Sequence, residues 1–166
     1  RRTMDLEAEA RGEDPDPPYR ILLADGDEAS RLSIGELLRS DGLGVDDAGD
    51  GSTAMGLLDR SSFQMAIVDG DLLVIGVALF DAVRERAHET ALVLLVGKLA
   101  VSAPEDAVVL VRPFSDLADV AARIRFQVAQ HRRLIRARAY LESIKDRQRE
   151  LLDRYEGLVR ELGRLY

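Results

Sequence analysis

Two stretches of the chain share one form. Ile21-Leu22-Leu23-Ala24-Asp25-Gly26-Asp27 and Met65-Ala66-Ile67-Val68-Asp69-Gly70-Asp71 each run apolar, stop on a carboxylate and bring a second carboxylate two residues later. Runs this short, bounded by glycine and acids, suit a parallel strand covered on both faces better than an amphipathic helix. In a doubly wound sheet, chemistry collects at the carboxyl ends of the strands beside the point where strand order reverses. The two acidic ends are therefore expected to converge.

The remaining pattern alternates strand and helix. Strands are predicted at Arg20–Ala24, Leu43–Ala48, Gln64–Val68, Ala91–Val96 and Ala107–Val111. Helices are predicted over Glu28–Ser40, from Asp50-Gly51-Ser52 onward, over Val77–His88, and after a Ser115 cap. The first helix draws its apolar positions from Ala29, Leu32, Ile34, Leu37 and Leu38, the second from Ala54, Met55, Leu57 and Leu58. Before the fifth strand the link contains Pro104 and leaves room only for a short or degraded helix. Such alternation predicts an α/β fold, a doubly wound five-stranded parallel sheet of flavodoxin-like topology.

Residues 1–18 are acidic and end in Asp14-Pro15-Asp16-Pro17-Pro18, which cannot continue a helix, so they are read as a disordered lead in which Met4 is a start. Residues 19–130 form the α/β body and residues 131–166 a helix continuing the body's last one. With 166 residues, 46% of them hydrophobic, the chain suffices for one core and an appendage. It has no Cys, hence no disulfide or thiolate metal site. No signal peptide or apolar run of about 20 residues is present, so a cytoplasmic protein without a membrane span is expected. Net charge is −3 over residues 1–18, −9 over 19–116 and +5 over 117–166. The basic residues of the tail are spread around a helix and mixed with acids, which argues against a nucleic-acid footprint.

From Leu134 a heptad runs to the end of the chain. Leu134, Leu141, Gln148, Tyr155 and Leu162 take one seam position; Ala137, Ile144, Leu151, Leu158 and Leu165 take the other. At 1.5 Å per residue this stripe is about 50 Å long and outruns a body of this size. A self-associating coiled coil, dimeric or higher, is expected. Gln148 is a candidate for fixing register, and Leu152, Val159 and Tyr166 widen the stripe near its end.

Over residues 19–130 the pattern resembles the receiver domain of bacterial response regulators. The resemblance rests on Ile21-Leu22-Leu23-Ala24-Asp25, Ala66-Ile67-Val68-Asp69 and Val111-Arg112-Pro113-Phe114-Ser115, in order at three strand ends. It implies that Asp69 is a phosphoacceptor addressed by a histidine kinase, and that Asp69, Asp25 and Asp27 hold Mg2+. A hard cation offsets the repulsion between a carboxylate and an incoming phosphoryl group.

Several positions depart from the family pattern. Its acidic pair is Asp25-Gly26, lacking one carboxylate. Its hydroxyl residue ending the fourth strand is Val96, which donates no hydrogen bond. Its aromatic switch aligns with Val109, and its lysine with Arg112, a fork rather than a point charge. Beyond Asp69 lies an apolar loop, Leu72-Leu73-Val74-Ile75. Two readings follow: an atypical receiver phosphorylated at Asp69, or a pseudo-receiver kept as a protein-binding scaffold for an effector. In either the chain is expected to be no enzyme.

Other classes fit less well. Asp25-Gly26-Asp27 and Asp69-Gly70-Asp71 also resemble the DxD signature of haloacid-dehalogenase-type phosphatases, but Ala29 stands where Thr or Val is expected and the body's one lysine is Lys98. A flavodoxin would need a hydroxyl-rich phosphate loop where this chain places acids. His131 is expected on a solvated helix face, and His88 at a helix end, where a cation is favourable.

Overall fold

A strand covered on both faces must be apolar throughout, and Met65–Asp69 is buried at every residue. The computed structural model describes residues 18–70, 72, 81–85, 89–96, 107–111 and 116–166. Within them lie β1 (Arg20–Ala24), β2 (Gly44–Ala48), β3 (Met65–Asp69), β4 (Ala91–Val96) and β5 (Val108–Val111). The helices are α1 (Glu28–Ser40), α2 (Gly51–Arg60) and α3 (Leu117–Leu165), and residues 81–85 are also helical. All neighbouring strands are parallel, in the order β2-β1-β3-β4-β5. The expected α/β fold is therefore present, with its reversal of strand order between β1 and β3.

β1, β4 and α1 have the expected bounds, β2 and β5 start one residue later, and β3 is shifted by one. Gln64, expected in β3, brackets it from outside: its side-chain Oε1 accepts the Arg20 N–H at 2.7 Å and its N–H donates to Arg20 O at 2.9 Å. Most of the Val77–His88 helix, Asp71, Leu73-Val74-Ile75, Lys98, Pro104 and Arg112 through Ser115 lie outside the described residues. At the start of α3 it is Asp116 whose carboxylate accepts an N–H, from Ala118 at 2.9 Å.

One face of the sheet buries Leu22, Ala24, Ala66, Val68, Leu92, Leu94 and Val96 together with Ala54 and Phe63. Burying one such leucine side chain contributes about 1.5–3 kcal/mol. β2, an edge strand, is short of apolar residues because its acids have partners: Asp46 meets Arg20 at 2.7 Å, and Asp47 meets Arg31 and Arg39 at 3.1 Å each. Charges also blunt that edge against pairing with another chain.

α1 begins at Asp27, whose carboxylate accepts the Ser30 N–H at 3.2 Å. It ends at Gly42, the described residue with positive φ, 82°. There Gly42 N–H donates to Arg39 O and Leu43 N–H to Leu38 O, closing the last turn. Its buried residues are Ile34, Gly35 and Leu38, so the expected stripe is corrected: Ala29 is exposed and Leu32 is 51% exposed. A Cβ on Gly35 would lie 3.8 Å from Leu23 Cδ2, so the backbone of α1 approaches the sheet there and turns Leu32 outward. Asp27→Ala should cost about 1 kcal/mol and Asp27→Asn much less, since asparagine also caps; urea unfolding of both variants measures it.

The chain divides into two units, residues 1–123 and 124–166. In α3 the buried residues Val120, Ala121, Ile124, Val128 and His131 follow one helical face. His131, expected in solvent, is thus corrected to the last buried position of that face, three residues after Val128, at 8% exposed. From Arg133 on every residue is exposed. Gly157 and Gly163 would have nothing within 4 Å of an added Cβ. Gly157→Ala and Gly163→Ala should each stabilise the helix by about 1 kcal/mol, seen as slower amide exchange through residues 150–165.

Candidate functional site

The sheet places the two acidic strand ends together. β1 and β3 are adjacent, and Ala24 pairs with Val68, so Asp25 and Asp69 follow one residue later on neighbouring strands. Both are buried, at 0% and 5% exposed.

Asp25 is held by its surroundings. Its N–H donates to Ala48 O at 3.0 Å, its carbonyl accepts Arg31 Nη1 at 2.9 Å, and its Oδ1 accepts the Asp27 N–H at 3.0 Å. Arg31 carries the arrangement across the strands, because its Nε also donates to Asp47 Oδ2 at 3.1 Å. The sequence reading missed Arg31; its signal was an arginine one turn into α1 opposite two acids on the next strand.

Beside Gly70, the residue after Asp69, stands the end of β4. Gly70 N–H donates to Leu95 O at 2.6 Å, and a Cβ on Gly70 would lie 3.1 Å from both Leu95 O and Val96 Cγ1. Val96 is 1% exposed, so its methyls fill the end of β4 where the family pattern has a hydroxyl. On the other side Leu72 packs on the core cluster, with Cδ2 3.4 Å from where a Gly26 Cβ would be. Leu72 N–H donates to Asp69 O at 3.2 Å.

Among the described residues the oxygen donors near the strand ends are few. Gly26 offers no side-chain oxygen, Asp27 is exposed and its carboxylate caps α1, and one oxygen of Asp25 already takes an N–H. Among the described residues no group of three or more His, Cys, Asp or Glu is placed to hold a metal ion. Asp25 and Asp69 stand together at the strand ends, while the Asp27 carboxylate is engaged at the start of α1. Val109 lies on β5 and is 39% exposed. Arg112 and His88 lie outside the described residues.

Asp50, the N-cap of α2, adds a titrating group nearby in sequence. The Thr53 N–H, 2.7 Å from its Oδ1, holds its carboxyl below the usual 3.8. A depressed pKa stabilises the fold above the usual value and loses that contribution as pH falls through the folded value. Asp50→Asn should therefore flatten the acid limb of the stability–pH curve while leaving stability at neutral pH nearly unchanged.

The tail offers a different surface. Leu134, Leu141, Ile144, Leu151, Tyr155, Leu158, Leu162 and Leu165 are all exposed, as are Leu152, Val159 and Tyr166, and Gln148 sits among them. No helix among the described residues is long and apolar enough to cross a membrane.

No protein-family model matches the chain, and no curated protein matches it. Solved structures do. A CheY-like response regulator receiver domain from Methanospirillum hungatei matches with TM-score 0.59 and 19% identity, over 70% of this chain and 98% of that one. The signal receiver domain of an HD-domain-containing protein from Pseudomonas fluorescens gives 0.60 and 21%, over 70% and 98%. The receiver domain of the hybrid histidine kinase CckA gives 0.55 and 24%, over 65% and 97%. In sheet order, in the place of its acidic strand ends and in these likenesses, the body of the chain has the fold of response-regulator receiver domains.

Proposed function

We propose that the chain is a two-component-type signalling module that works without phosphorylation, a pseudo-receiver that binds protein partners through its body and its exposed helix. One observation supports this reading: among the described residues, apolar side chains stand beside the acidic strand ends. Asp69 and Asp25 are buried, and Val96 and Leu72 occupy the space beside Gly70 and Gly26. A carboxylate nucleophile needs room for the phosphoryl group and a positive charge to offset its repulsion, and among the described residues the Val96 and Leu72 side chains supply no such charge. The exposed heptad stripe supplies the association element, packing seam residues against another helix.

The test is intact mass after incubation with Mg2+ and a small phosphodonor, beside an Asp69→Asn variant and a phosphorylatable receiver domain as positive control. Unchanged mass, with the control gaining a phosphoryl group, is the expected result. A gain in this chain that Asp69→Asn abolishes would restore Asp69 as a phosphoacceptor and with it a histidine kinase as partner.

A further inference from the structure

The apolar stripe of α3 is exposed along its whole length, and a contiguous patch of this kind marks an interaction site. What occupies it is decided by the residues that flank it. In the heptad set by Leu134 and Ala137, one flank carries Arg133, Tyr140, Arg147, Arg154 and Glu161. The other carries Arg138, Lys145, Leu152, Val159 and Tyr166. Five cations thus line the seam against one acid. These flanking positions set partner choice and orientation in coiled coils.

A second copy does not answer these charges in the in-register parallel pair, nor in the antiparallel pair centred on Gln148 and Leu151. In a parallel pair each residue of the first flank meets the residue five positions later on the other helix. Arg133 then faces Arg138, Tyr140 faces Lys145, Arg147 faces Leu152, Arg154 faces Val159, and Glu161 faces Tyr166. In an antiparallel pair that layers Gln148 on Leu151, Arg147 faces Arg154 twice and Tyr140 faces Glu161 twice, while Lys145 meets Leu152. No flank cation meets an acid in either arrangement. Like charges across a seam disfavour the pairing that makes them.

We infer that the stripe takes up an acidic amphipathic helix of another protein, with apolar seam residues and Glu or Asp at its flanks, in preference to a second copy of this chain. The inference rests on the helix-association reading above and adds the chemistry of the partner. Such a helix would meet Arg133, Arg138, Lys145, Arg147 and Arg154 with opposite charge while burying Leu141, Ile144, Leu151, Leu158 and Leu162.

Two labelled synthetic heptad peptides test it on the full chain. Both carry Leu and Ile in the seam and Asn opposite Gln148; one has Glu at every flank, the other Lys. At low salt the Glu peptide should bind about a hundred-fold more tightly, and added salt should shrink that ratio. The Arg147→Glu/Arg154→Glu variant should reduce or reverse the preference. Equal binding of the two peptides overturns the charge argument and leaves helix association standing. A stable oligomer of the chain alone in light scattering, which the Glu peptide does not displace, also overturns it and names the second copy as occupant. Binding of neither peptide by a monomeric chain would overturn both this inference and the association reading.

Discussion

Leu94→Ala is expected to lower the stability of the body by about 3–4 kcal/mol, read from the shift of the urea midpoint at unchanged slope. Leu94 is 1% exposed in β4, between Val68 of β3 and Val109 of β5. It belongs to the cluster of Leu22, Val68, Leu92 and Val96, and its Cδ1 lies 3.6 Å from where a Gly70 Cβ would be. Truncation therefore removes both the transfer free energy of the side chain and its contacts with strands that hydrogen bonding prevents from closing in. Leu32→Ala, the same change at a residue 51% exposed, should cost less than about 0.5 kcal/mol. If both substitutions cost the same, the assigned core face is wrong.

Arg31→Ala should cost about 2–3 kcal/mol. The Arg31 side chain is 16% exposed, and its guanidinium bonds both the Asp25 carbonyl and the Asp47 carboxylate. Asp47 retains Arg39 when Arg31 is lost, so most of the cost falls on the carbonyl of Asp25, left without that donor. Gly49 belongs to the same arrangement, because a Cβ there would lie 2.8 Å from Arg31 Nη1 and force it aside. Gly49→Ala should accordingly cost about 1 kcal/mol in the native chain and close to nothing beside Arg31→Ala. Full additivity of the two would show that Arg31 does not make the contact.

The strands with continuous apolar runs were legible in the sequence, since a buried parallel strand has one compositional solution and little else in the chain shares it. Their order was legible for the same reason: short crossovers of one hand leave few ways to lay five strands side by side. Asp25 and Asp69 followed, as residues that end those runs. Less legible was anything set by packing across elements. Leu32 and Ala29 fit a helical stripe on paper, but Gly35 let α1 approach the sheet along a different line. His131 was read from its basic neighbours when its three-residue spacing from Val128 was the better guide. Val96 and Gly26 announced a missing hydroxyl and a missing acid, yet that Leu72 comes beside Gly26 is set by packing between segments far apart in the sequence.

The order of the sheet also governs how it is made during synthesis. β1 gains its first neighbour once Ala48 has emerged and its second only at Asp69; β4 and β5 are then added one after the other to the same growing side. Until Val111 is out, the nascent sheet ends on an apolar strand whose backbone groups lack a partner. Each pause in translation between β3 and β5 is thus a window for mispairing with another nascent chain. Slow codons would be best tolerated after Val111, when all five strands are out.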